Sequence, residues 1–84
     1  MKINFKDFVK QVSKKSGYAQ WNIAEVFDVG AEVVKENLEK GLETSVFRGM
    51  IIYPSVMKQP TGEIVFARAR FGKFFKDLNS SAIL

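Results

Sequence analysis

Lys2, Lys6, Lys10 and Lys14 recur at every fourth residue, and Arg68 and Arg70 stand two apart in a run of alternating residues. Both spacings line cations along one side of an element, which is anion-holding chemistry rather than bond-breaking chemistry. The Lys row reads either as a solvated face or as a rim turned towards phosphate. Lys73 follows Gly72 where a helix is expected to begin, so free N–H groups there would add to its charge. Catalytic groups are harder to find. The chain has no Cys and no His, which removes thiolate chemistry, Cys-ligated zinc, most transition-metal sites and every imidazole acid or base. The carboxylates are scattered, and no Ser stands near a base. Gly49, Gly62 and Gly72 each stand alone, as turn glycines do, rather than forming a phosphate loop. The expectation is a protein with no catalytic residues, no metal and no cofactor: a binding or structural protein and not an enzyme.

The charge is unevenly placed. Lys and Arg number 13 against nine Asp and Glu, net +4, with a pI near 9.5. From Gly41 onward six cations (Arg48, Lys58, Arg68, Arg70, Lys73, Lys76) face three acids (Glu43, Glu63, Asp77), whereas residues 1–40 carry seven against six. The excess therefore lies in the second half. Eighty-four residues make one small domain, 1–84, with a thin core. At 46% hydrophobic and 13% aromatic the chain is expected to fold, and self-association is expected with it. No uninterrupted apolar run is longer than the four residues Met50 to Tyr53, so neither a membrane span nor a signal peptide is expected, and the reading is a soluble intracellular protein.

The elements that must position these residues follow from periodicity. Asn4, with Asp7 three residues on, predicts a capped helix over 5–15, in which Phe5, Phe8, Val9 and Val12 form one stripe. Ser16-Gly17 breaks it and can cap a second helix over 17–40. Ile23, Val26, Phe27, Gly30, Val34 and Leu38 would be its seam, widened by Val29 and Val33. A face that wide predicts burial against a second subunit. Glu36 and Lys40 would pair outside, with Gly41 as the stop. A DNA-reading helix-turn-helix fits poorly, because the second helix is long and acidic outside (Glu25, Asp28, Glu32, Glu36, Glu39).

Strands follow over 43–47, 50–57 and 63–70, with Arg48-Gly49 and Gln59-Pro60-Thr61-Gly62 as turns. Pro54 marks an edge, a bulge, or the point where a hairpin leaves the main sheet. In the last strand Ile64, Phe66, Arg68 and Arg70 take one face and Val65, Ala67 and Ala69 the other. The small apolar residues suit burial under helices, which leaves the arginines on the open face. Phe71, Phe74, Phe75 and Leu78 then predict a short helix over 72–79. The class is α+β: two helices, a three-stranded antiparallel sheet and a short last helix.

This order and several strings resemble the HU and integration host factor family of bacterial DNA-bending proteins. Asn4-Phe5-Lys6-Asp7-Phe8 is similar to that family's opening Asn-Lys-Thr-Glu-Leu, and Val26-Phe27-Asp28 with Lys40-Gly41 to its long second helix and terminal Gly. Gln59-Pro60-Thr61-Gly62-Glu63-Ile64 resembles the arm tip Asn-Pro-Gln-Thr-Gly-Glu. Phe71-Gly72-Lys73-Phe74-Phe75-Lys76-Asp77 resembles Pro-Gly-Lys-Ala-Leu-Lys-Asp. The family's Gly-Phe-Gly turn survives only as Phe47-Arg48-Gly49-Met50. The arm is shortened: strands of about 27–33 Å must supply both body and arm, leaving ~10–15 Å of free projection. Its basic ladder is reduced to Lys58.

The resemblance implies an HU-like fold in an intertwined homodimer with Phe8, Val12, Val26, Phe27, Val34, Phe74 and Phe75 in the shared core. It also implies a cytoplasmic, nucleoid-associated protein that binds double-stranded DNA with little regard to sequence, and the shortened arm implies weaker bending than in long-armed members. The DNA-binding set would be Arg68, Arg70, Lys73, Lys76, Lys58, Pro60, Arg48 and Lys2. Pro60 matches the family's tip proline, which wedges between base pairs, although it also fixes the turn. Neither a membrane nor a small-molecule substrate is expected as a partner. Tyr18 and Trp21 stand where the family carries polar residues, as local packing or as a contact surface for a protein partner. They keep open a second reading, an HU-like interaction module that pairs with or antagonises another DNA-binding protein.

Overall fold

The computed structural model describes residues 2–76 and Leu78. Its elements run α1 (Phe5–Ser16), α2 (Gln20–Glu39), β1 (Thr44–Phe47), β2 (Met50–Gln59), β3 (Gly62–Phe71) and α3 (Lys73–Lys76). The class is α+β with one open antiparallel sheet in the order β1-β2-β3, as the sequence predicts. Among the described residues, no helix is long and apolar enough to cross a membrane. The chain forms two compact units, one up to Val33 and one from Val34 onward, and α2 contributes to both.

In the first unit the Asn4 side chain accepts from the Asp7 N–H at 2.8 Å, satisfying a donor that the first helical turn leaves free. Gly17 ends α1 in the left-handed region at φ 84, with its N–H on the Ser13 carbonyl at 2.9 Å. The expected start of α2 at residue 17 needs correction. The Ser16 hydroxyl accepts from the Tyr18 N–H at 3.2 Å and the Ser13 hydroxyl donates to the Tyr18 carbonyl at 2.6 Å. These bonds hold 17–19 as a turn, and the Ala19 carbonyl opens α2 by accepting from the Ile23 N–H at 3.2 Å.

Val9 (5% exposed) and Ile23 (8%) are the buried apolar residues among those described. Around them Phe8 and Phe27 stack with ring centroids 5.5 Å apart, and Phe5 meets Phe27 edge-on at 6.4 Å. The single seam expected on α2 divides in two. Ile23 and Phe27 turn towards α1, whereas Val26 (64% exposed), Val29 and Val33 form a second stripe open to solvent. At 100° per residue the two stripes lie on opposite shoulders of the helix, so one hairpin partner cannot cover both.

The second unit begins with the end of α2. Leu42 N–H reaches the Asn37 carbonyl at 2.9 Å and Gly41 N–H the Leu38 carbonyl at 3.0 Å, around Gly41 at φ 76. This Schellman arrangement satisfies the orphan carbonyls of the last turn. Asn37 Nδ2 also donates to Thr44 Oγ1 at 3.0 Å, which ties the helix end to β1. β1 and β2 pair antiparallel through Thr44↔Ile52, Ser45↔Ile51 and Phe47↔Met50, with Val46 as the extra residue of a bulge. β2 and β3 pair without a break from Met50↔Phe71 to Gln59↔Gly62. Both strands are longer than expected because the tight turn at Pro60-Thr61 lets pairing reach its limit, whereas β1 starts a residue late and leaves Glu43 outside the ladder. The last helix is shorter than the expected 72–79: Gly72 precedes it and Leu78 is not helical, while Asp77 and Asn79 lie outside the described residues.

Pro54 falls two residues past Ile52, where β1 has ended and one side of β2 is an edge. There its missing N–H costs no ladder bond on the open side. Of the three readings left by the sequence, the edge and the departing hairpin coincide at Pro54, while the bulge lies in β1 instead.

Candidate nucleic-acid interface

The β2–β3 register fixes which side chains share a face. Tyr53 lies opposite Arg68, Ile51 opposite Arg70, Ser55 opposite Phe66 and Met57 opposite Ile64. Since side chains alternate along a strand, these eight residues occupy one face. Arg68 and Arg70 are exposed on it, as expected, but the burial expected of the opposite face is not found: Val65, Ala67 and Ala69 are exposed too, and the half-buried residue of β3 is Phe66, on the arginine face. Pro54, Val56, Val65 and Ala67 belong to the other face and, with Lys35, Leu38 and Glu39 of α2, line an open depression of about 540 Å³.

The arginines are held over aromatic rings. The Arg68 guanidinium lies 5.7 Å from the Phe66 centroid and that of Arg70 lies 4.8 Å from the Tyr53 centroid. Such stacking restrains a long side chain while leaving its N–H edge free to bond an anion. Arg70 is also engaged elsewhere: its Nη2 donates to both carboxylate oxygens of Glu43 at 3.1 Å. The two arginines, equivalent in the sequence, are not equivalent in the fold.

A second basic group gathers where β3 ends. Arg48 lies over the Phe74 ring at 4.7 Å. The turn that carries Arg48 is fastened to the start of α3 by the Gly72 N–H on the Gly49 carbonyl at 2.6 Å. The Phe74 and Phe75 rings meet edge-on at 5.2 Å, and Phe71 meets Phe75 at 5.7 Å. Lys73 and Lys76 are exposed on the same short helix.

The arm differs from a basic clamp. Lys58, its one expected cation, stands directly opposite Glu63, so the tip carries balanced charge. Beside them Val56, Met57, Ile64 and Val65 are all exposed. The portion clear of β1 and of the α2 depression is Met57–Gln59 with Gly62–Ile64, about 10 Å per strand. Pro60 occupies the turn and is exposed.

The remaining expected residues lie in the first unit or on α2. Lys2 is exposed ahead of α1, and Tyr18 (68%) and Trp21 (70%) are open to solvent. Trp21 lines a hollow of about 260 Å³ with Phe5, Lys6, Val9, Gln20 and Ala24. Of the expected dimer core, Val12, Phe27, Val34 and Phe75 are half-buried, whereas Phe8, Val26 and Phe74 are exposed. Among the described residues no cluster of three metal-ligating side chains occurs.

Three residues escaped the sequence reading. Tyr53 and Glu63 could have been found by counting outward from the Pro60-Thr61 turn, which pairs Tyr53 with Arg68 and Lys58 with Glu63. Glu43 is 27 residues from Arg70 and carries no local signal. No family model matches this chain, and no curated protein matches it.

Proposed function

We propose that this protein is a homodimeric, non-enzymatic binder of double-stranded DNA of HU type. It contacts phosphates through a basic sheet face and short arms and reads few base edges. One observation carries the reading: Arg68 and Arg70 are exposed on one face of the β2–β3 sheet, and each lies over an aromatic ring. A phosphate row is a surface that such a restrained, exposed cationic pair fits. Arg48, Lys73 and Lys76 extend the positive surface at the base of the sheet.

The dimer is supported by what the single chain leaves uncovered. Val26, Val29 and Val33 on α2 and Phe71 and Phe74 by α3 are exposed, while the buried apolar residues among those described are Val9 and Ile23. A second copy supplies the missing cover and doubles the basic face.

The second reading, an HU-like module that binds another protein, is favoured by the exposure of Tyr18 and Trp21 and by the Lys58–Glu63 balance on the arm. Fluorescence anisotropy with two unrelated labelled duplexes separates the two. DNA binding predicts salt-sensitive association with both duplexes. It also predicts that Arg68→Ala flattens the log–log salt slope by about 0.9 for each phosphate no longer neutralised. A folded protein that binds neither duplex at low salt would leave the interaction module as the better reading.

A further inference from the structure

Glu43 stands just before β1 and Arg70 near the end of β3, yet the Arg70 Nη2 donates to both Glu43 oxygens at 3.1 Å. Tyr53 holds the same guanidinium from its face at 4.8 Å. The carboxylate therefore occupies donors that a phosphate oxygen would use. Arg68, on the same sheet face, has no carboxylate partner among the described residues.

We propose that Glu43 is a built-in competitor for phosphate at Arg70, which leaves Arg68 as the working contact of the pair; this rests on the DNA-binding reading. The side chains of Arg70 and Glu43 are 53% and 56% exposed, so water and salt screen the pair and it opens readily. It is a brake rather than a lock. When a phosphate takes Arg70, the Arg70–Glu43 bonds break and the Glu43 carboxylate is left beside a second anion. Both effects offset what Arg70 would otherwise contribute. The local charge of Arg68, Arg70 and Glu43 is also one unit lower than that of the two arginines alone. Binding is thereby held weak and less salt-dependent than the count of arginines implies.

The test compares wild type, Glu43→Gln, Arg70→Ala and the double variant on one labelled duplex between ~50 and ~200 mM salt. Glu43→Gln keeps the shape and removes the charge. It should tighten binding about three- to tenfold and steepen the salt slope by about 0.9 for each Arg70 released. Arg70→Ala alone should change wild-type affinity less than about twofold, yet remove the whole gain in the Glu43→Gln background. Wild-type binding that Glu43→Gln does not strengthen overturns the inference and leaves DNA binding standing. So does a gain that persists without Arg70, since Glu43 would then act only as bulk charge. Absence of binding by all four proteins removes the DNA-binding reading and this inference together.

Discussion

A methyl group placed on Gly49 would lie 2.9 Å from the Phe74 Cβ, closer than two such carbons can approach. Gly49 also sits at φ +78, and its carbonyl receives the Gly72 N–H. The β1–β2 turn and the start of α3 are thus pressed together at a point that tolerates only hydrogen.

This close approach predicts a large cost for a small change. Gly49→Ala carries the left-handed penalty of about 1–2 kcal/mol and must also displace Phe74, against which Arg48 is stacked. Urea unfolding should show destabilisation of about 2–3 kcal/mol. A change below about 0.5 kcal/mol would mean that the turn and α3 are not locked together.

The open valine stripe on α2 gives a test of assembly. Wild type should sediment at about twice the 9.5 kDa chain mass at micromolar concentration. Replacing Val29 with Lys and Val33 with Lys places two like charges on the surface proposed to be shared, and a dimer cannot bury them unpaired. The expected result is a lower mass, or unfolding if the free chain cannot stand alone. A wild-type monomer, folded across that range, would remove the dimer and the doubled basic face with it.

The short arm should contribute little to duplex binding or bending. Holding a sharp bend costs of order 1–6 kcal/mol, and interactions along the flanks must offset it. Lys58 is balanced by Glu63 and only about three residues per strand project clear, so little is available to hold those flanks. Pro60→Ala should therefore leave duplex affinity within about twofold and change the circularisation of short fragments little. Efficient closure by wild type that Pro60→Ala abolishes would show that the tip is a working wedge.

Local features were legible in the sequence. Asn4, Gly17, Gly41 and Gly49 announce their caps and turns because each answers a backbone requirement within a few residues. The sharing of one sheet face by Arg68 and Arg70 follows from strand alternation alone. What stayed hidden depends on competition or distance. Ser16 could cap α2 or serve the preceding turn, and Tyr18 decided it. The stripes of α2 merge in the sequence because three- and four-residue spacings fit both shoulders of one helix, and only the position of α1 separates them. The hold of Glu43 on Arg70 needs the sheet to close first.

In the proposed complex two copies of this chain hold one duplex through its phosphates. Native mass spectrometry of the protein mixed with a short duplex at low ionic strength measures both parts at once. The predicted species is the duplex plus two 9.5 kDa chains, disappearing as salt rises and weakened by Arg68→Ala. A duplex carrying a single chain, or free duplex beside intact folded protein, would contradict it.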